Sequence, residues 1–260
     1  MEKGLFLLLV IHLFWSHQEF AQSNHHYTYS VEKSVPGVKP IYSSFSLTRW
    51  NHVFVPVDGG IYNLFDSIWF IPPSGDYYFT SVAVNDPDTA FFVVANQNEN
   101  TKIFYIKASN LKNIKKIELA TISKGVYNIT YKHSKCVIWG FDNDSCRIGI
   151  LTTHSVKWLV SIKEPITQVQ MNNNSEILFS TTHALRNIST SQLLFTTKER
   201  ITGFDFDRKN NLVVSYLGGT GIMNGDTLHL ISRDIFGLVM CHNDSLYLLN
   251  QSKRTLNIVY

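Results

Sequence analysis

The chain has 260 residues, of which 44% are apolar, 13% aromatic and 17% charged, with seven Pro. That composition supports one sizeable core and excludes long disorder, and a net charge of +3 with no dense Lys/Arg run argues against a nucleic-acid partner. An odd count of three Cys leaves at least one thiol outside any disulfide framework.

In chain order, residues 1–22 stand apart. Lys3 gives a short basic start, Gly4 to Trp15 is apolar apart from His12, and Ser16 to Gln22 is polar, which is the pattern of a secretory signal peptide. The apolar run is too short to span a bilayer, so the expectation is a secreted or periplasmic protein with no transmembrane segment after leader removal. Removing Lys3, Glu2 and Glu19 leaves 22 basic against 18 acidic residues in the mature chain. Cutting after Gln22 would place His25 third, where an amino terminus can bind Cu(II); joining a strand would occupy the same residues.

His25 to Val31 alternates like a strand, and Val35 to Pro40 is a Pro/Gly-bearing link. Phe45–Trp50, His52–Val57, Ile61–Phe65 and Ile68–Ile71 are then four short strands, closed by Pro72-Pro73-Ser74-Gly75. Four more follow at Phe79–Val84, Ala90–Ala95, Lys102–Lys107 and Lys116–Thr121, and four at Tyr127–Tyr131, Cys136–Phe141, Arg147–Thr152 and Val156–Ile162. Lys112, Lys115 and Lys116 fall in a strand-to-strand loop and read as a solvated edge.

From Ile166 onward one unit recurs with starts at Ile166, Ile201 and Ile235. Each copy opens with alternating apolar residues, breaks at an Asn/Asp turn and resumes as an apolar strand. Four short strands at a fixed period predict a propeller blade, because such a sheet must stack on neighbours to bury both faces. The fold expected is therefore an all-β, six-bladed β-propeller over residues 23–260, with seven blades as the alternative. The last unit lacks a fourth strand, and the unassigned strand around Tyr27 to Val31 is the one available to complete it and close the ring.

The stretch Phe204 to Ile222, FDFDRKNNLVVSYLGGTGI, resembles the repeat of secreted six-bladed propellers of the NHL and gluconolactonase-like type, and that of two-component-regulator sensor propellers. The resemblance implies fold and little about function. A gluconolactonase-like activity would need carboxylates and amides from several blades around a divalent ion; the early Glu available is Glu32, in a context that does not match.

Other motifs read as structure. Gly218-Gly219-Thr220-Gly221 has no following Lys-Ser/Thr or helix, so it is a wide hairpin turn and not a phosphate loop. Asp86/Asp88 and Asp142/Asp144 sit in turns and Asp205/Asp207 on one strand face, and whether any of them binds a metal is left open. With the hairpin centred near Asn143, Cys146 faces Gly140 and Cys136 faces Ile150, so the thiols read as buried and reduced unless a bulge shifts the register. No Ser-His-Asp arrangement can be argued. Trp50, Trp69, Trp139 and Trp158, the basis for a lectin reading, fall mostly in strands where burial is the default. Asn-x-Ser/Thr occurs at Asn128, Asn143, Asn173, Asn187, Asn243 and Asn250.

The sequence therefore favours a non-enzymatic binding propeller with a protein or carbohydrate ligand, and a metal-dependent gluconolactonase-like hydrolase is the alternative. The loops entering the inner strands and those joining second to third strands crowd one face of a propeller. On that face Lys163, Glu164, His183, Arg233 and Asp234 have no local structural job and are the candidate ligand-binding residues. The Asn/Asp turns are expected on the opposite face.

Overall fold

A computed structural model of the chain describes residues 29–37, 44–48, 50–73, 75–85, 90–97, 100–107, 116–123, 125–142 and 144–260. The leader, His25-His26, Asp86, Asp88, Asn143, Lys112 and Lys115 lie outside them. Among the described residues twenty-four strands form six four-stranded antiparallel sheets. The strand β1 (Tyr29–Ser34) comes first in the chain, and five sheets then follow in strict order. The first blade is β2 (Ser46–Leu47), β3 (Val53–Val57), β4 (Gly60–Asn63) and β5 (Ile68–Ile71). The second is β6 (Tyr78–Asn85), β7 (Ala90–Gln97), β8 (Asn100–Lys107) and β9 (Lys116–Ser123). The third is β10 (Val126–Lys132), β11 (Lys135–Asp142), β12 (Ser145–Leu151) and β13 (Val156–Ile162). The fourth is β14 (Gln168–Met171), β15 (Ile177–Ser180), β16 (Ala184–Asn187) and β17 (Leu193–Thr196). The fifth is β18 (Ile201–Phe206), β19 (Leu212–Tyr216), β20 (Gly219–Asn224) and β21 (Thr227–Ser232).

The sixth blade closes the ring. It contains β22 (Leu238–His242), β23 (Ser245–Asn250) and β24 (Thr255–Val259), and its outermost strand is β1. Tyr29 pairs with Val259 and Ser34 with Thr255, so the completing strand lies slightly later than the alternation around Tyr27 to Val31 indicates. The chain is thus a six-bladed β-propeller, and the described residues form no seventh blade.

Each blade-to-blade junction carries its own apolar cluster. Successive residues of the second strands point to opposite neighbours: Leu178 packs toward the fifth blade and Phe179 toward the third, Val213 toward the sixth and Val214 toward the fourth. This is why β3, β15 and β23 are buried at every position, whereas outer strands such as β13 alternate between half-buried and exposed.

The inner strands pose a different problem. Each ladder stops at its inner strand, so adjacent inner strands are not β-paired, and their buried N–H and C=O groups need other partners. Polar side chains supply them. Ser46 Oγ accepts from the Val84 amide at 2.9 Å, Ser81 Oγ from Ile129 at 2.9 Å, Gln168 Oε1 from Phe204 at 3.0 Å and Asp205 Oδ2 from Cys241 at 2.8 Å. Each bond crosses from one blade to the next. Thr130 donates to Gln170 Oε1 across the third junction at 3.2 Å. Gln168 reaches further still, donating through Nε2 to the Val239 carbonyl of the sixth blade at 3.1 Å. That reach depends on Gly203, where an added Cβ would lie 2.6 Å from Gln168 Oε1 and 2.7 Å from the Val239 nitrogen.

Several local expectations change. The first strand ends at Leu47 and not at Trp50, which sits in the following turn and is 61% exposed; Trp69 is also exposed, on an outermost strand, while Trp139 is buried. After β11, Asp142 pairs with Ser145, so Cys146 faces Phe141 and not Gly140. Both Cys136 and Cys146 are buried free thiols. The glycine run is a tight turn and not a wide one: Leu217 and Gly218 form it, and Gly219 already pairs with Tyr216, at a φ of 136°. Among the described residues no helix is long and apolar enough to cross a membrane.

Candidate functional site

The central channel opens at two ends. At one, here the entry end, lie the loops that lead into each inner strand and the turns joining second to third strands. The other, the turn end, carries the connections from first to second strands.

Lys163, Glu164, His183, Arg233 and Asp234 all fall in entry-end connections, and all five are exposed. A depression of about 590 Å³ opens at this end over the fourth, fifth and sixth blades. Its wall is formed by Pro165, Thr182, Arg200, Leu217 and Phe236 among others, some of them next to those residues in the chain, and the five do not line it. His183 Nδ1 lies 3.4 Å from the Glu199 carbonyl. Around the same end Val126 and Phe141, directly paired across β10 and β11, are 44% and 50% exposed, and Leu217 is 47% exposed. Leu217 and Phe236 escape a reading based on unexplained polar residues. Arg200 was within reach of the sequence, since it directly precedes the repeat start Ile201, as Pro165 precedes Ile166.

Asp142 ends β11 and Asp144 precedes β12, so both belong to the entry end, contrary to the expectation that the Asn/Asp turns all occupy the opposite face. Asp142 is held by Arg147, whose Nη1 lies 3.1 Å from Oδ2. The other described Asn/Asp turns that join first to second strands are at the turn end. There Asp207 is a turn cap: Oδ1 accepts from the Lys209 amide at 2.9 Å and the Asn211 amide at 2.7 Å, and Oδ2 from Asn211 Nδ2 at 2.8 Å. Asp205 has a different fate. It is 5% exposed and faces a channel cavity of about 180 Å³ together with Lys132, Gln170 and His242.

Burial pushes the Asp205 carboxyl up from its ordinary 3.8 to about 6, with Lys132 and the Cys241 and Phe206 amides pulling the other way. Because the folded value lies above the unfolded one, the ionised form costs stability, fully so above about pH 6 and less as the pH falls toward 4. A rise from 3.8 to about 6 corresponds to on the order of 3 kcal/mol. Asp205→Asn keeps an acceptor for the Cys241 amide and removes the charge. It is expected to raise the urea midpoint at pH 7.5 by an amount equivalent to about 2 kcal/mol, with the gain shrinking at pH 5; a midpoint lower than wild type at pH 7.5 would contradict it.

Glu32 lies on the outermost strand of the sixth blade, far from the channel axis, which removes it from any metal set over the channel. Among the described residues no group of three or more His, Cys, Asp or Glu is placed to hold a metal ion. The sequons also separate. Asn128, Asn187 and Asn250 are buried, the latter two as turn caps to Ser189 and Lys253, whereas Asn173 and Asn243 are exposed at the turn end.

No family model matches the sequence, and no curated protein sequence matches it either. Solved structures do. A chain of the mitotic checkpoint complex superposes with a TM-score of 0.61 at 10% identity, covering 91% of this chain and 93% of its own. The PQQ-bound aldose sugar dehydrogenase of Streptomyces coelicolor gives 0.60 at 9% identity, covering 90% and 99%. The extracellular domain of a hybrid two-component system from B. thetaiotaomicron gives 0.53 at 12%, covering 80% of this chain and 30% of that one. The architectural likeness to sensor propellers is thus present. At these identities the likeness is one of fold, shared by an enzyme and a sensor domain alike.

Proposed function

We propose that the chain is an exported, non-enzymatic binding propeller, residues 23–260 of which recognise a protein or glycan partner at the entry end. The observation that carries this is the concentration of exposed groups at the entry end: Arg200 and Leu217 in the wall of the depression, Val126 and Phe141 on the third blade, and Lys163, Glu164, His183, Arg233 and Asp234 in the connections around it. Exposed apolar groups among charged ones are the anatomy of a recognition surface, and the aliphatic members favour a protein over a glycan.

The test uses the purified chain as bait on secreted extracts and on an immobilised glycan array, beside a Phe141→Asp/Leu217→Asp double variant. Both sites are solvent-exposed, so the double variant is expected to melt with the wild type and to lose its partner at least tenfold in affinity, about 1.4 kcal/mol. Equal retention by the variant would place recognition elsewhere. For the gluconolactonase-like reading the discriminating measurement is thermal: a melting temperature raised by Ca²⁺ or Zn²⁺ and lowered by EDTA would support it, because an ion held only by the native state stabilises by mass action. Export is tested by sequencing the amino terminus of secreted material; a chain still beginning at Met1 would count against leader removal.

A further inference from the structure

The turn end holds a second cavity that the entry-end reading does not use. An open cleft of about 720 Å³ lies over the fourth to sixth blades and shares Lys132, Cys241 and His242 with the channel cavity of about 180 Å³ beneath it. The two form one funnel, wide at the surface and narrowing onto Asp205 and Gln170. Its volume is that of a small-molecule site.

Lys132, Arg208 and Lys209 line it against Asp205, Asp207 and Asp244, and these acids are largely engaged within the protein. Asp207 is saturated by its own turn, and Asp244 faces Arg208 at 3.7 Å. The ammonium groups of Lys132 and Lys209 have no hydrogen bond or ion pair among the described residues, and Lys132 is half-buried where the two cavities meet. Lys132 feels the Asp205 carboxylate electrostatically without touching it, so the donors of its ammonium group are open to an anionic ligand. At the narrow end Gln170 accepts from Thr130 through Oε1, while its Nε2 has no partner among the described residues. Asp205 Oδ2 is occupied by the Cys241 amide. Phe206 and Tyr260 supply an apolar wall.

We propose that this funnel is a binding site for a small oxyanion-bearing polyol, its carboxylate or phosphate held by Lys132 and Lys209 and its hydroxyl groups by Gln170 and Asp205. Lys132 is the anchoring residue, since it alone of the two lysines reaches both cavities. The ligand is a molecule of sugar-acid or sugar-phosphate size; the macromolecular partner proposed for the entry end occupies the opposite mouth.

The test is calorimetric titration of the full purified chain with glucuronate, glucose 6-phosphate, inorganic phosphate and glucose. Binding of either charged sugar at least tenfold more tightly than glucose is expected, and the ratio of the two charged sugars tells carboxylate from phosphate. Lys132→Met should weaken the charged sugar at least tenfold, and the exposed Lys209→Met, which cannot disturb the core, by a smaller factor. The entry-end variant Leu217→Asp should leave this affinity unchanged, which keeps the outcome separate from that of the entry-end proposal. Glucose binding as well as glucuronate and glucose 6-phosphate, no charged sugar binding at millimolar concentration, or affinities untouched by both lysine variants would each overturn the proposal.

Discussion

Removing residues 24–35 is expected to abolish cooperative unfolding of the propeller or to lower its melting temperature by more than 10 °C, as read by circular dichroism. The expectation rests on what β1 does for the sixth blade. Its ladder runs from Tyr29 opposite Val259 to Ser34 opposite Thr255, and without it β24 becomes an open edge. The loss is not confined to backbone bonds. Val35, 5% exposed, belongs to the cluster that joins the sixth blade to the first, and its amide donates to the Arg254 carbonyl at 2.8 Å. Lys33 Nζ lies 3.8 Å from the centre of the Phe65 ring of the first blade. The strand therefore seals a sheet and contributes to the one junction where the two ends of the fold meet. A shift of 10 °C in a domain of this size corresponds to roughly 3–5 kcal/mol, which is modest for exposing a sheet edge and part of a buried cluster. A truncated chain that melts with the full-length protein would show that the ring is held shut by other contacts.

Gln168→Leu is expected to destabilise the protein by about 4 kcal/mol, although the substitution puts an apolar residue at a buried position. Gln168 is 6% exposed, accepts from the Phe204 amide and donates to the Val239 carbonyl. Leucine offers neither group, so one buried N–H and one buried C=O on two different blades lose their partners at about 1–3 kcal/mol each, and hydrophobic gain cannot offset this because the side chain is already almost wholly removed from solvent. Gln168→Glu is the informative companion. It retains the acceptor and loses the donor, and should be worse than wild type above neutral pH, where a buried carboxylate is ionised beside the Val239 carbonyl. Urea titration resolves both variants. A Gln168→Leu chain within 1 kcal/mol of wild type would mean that the inter-blade bonds contribute little to holding the ring.

The blades were legible from the sequence because their second strands are mostly apolar and their turns carry Asn, Asp and Gly at regular intervals. The surplus amino-terminal strand and the missing fourth strand of the last unit followed from the same count, and the structure pairs them. The inner strands were less legible. Ser46, Ser81, Gln168, Gln170 and Asp205 look like surface residues by type, yet all are buried, since the demand they meet comes from a neighbouring blade some 35 to 70 positions away and leaves no local signature. The candidate residues show a related limit. Sequence register assigned Lys163, Glu164, His183, Arg233 and Asp234 to one end, where the structure also has them, but it gave no means of seeing that the cavity wall consists of other residues. The funnel at the turn end was invisible for a similar reason: Asp207 reads as a ligand until its three turn donors are known, and Lys132 reads as an ordinary strand-end lysine until its missing partner is.

The closing ladder also determines how the ring responds to load. Tyr29 lies opposite Val259, so the chain enters and leaves the sixth blade side by side at the same corner. Tension applied between those two points acts across the ladder and not along it, and peels apart one residue pair after another instead of straining all of them together. A propeller tethered at both ends would therefore open at that corner under weak force and reclose when released, with the other five blades still folded as sheets.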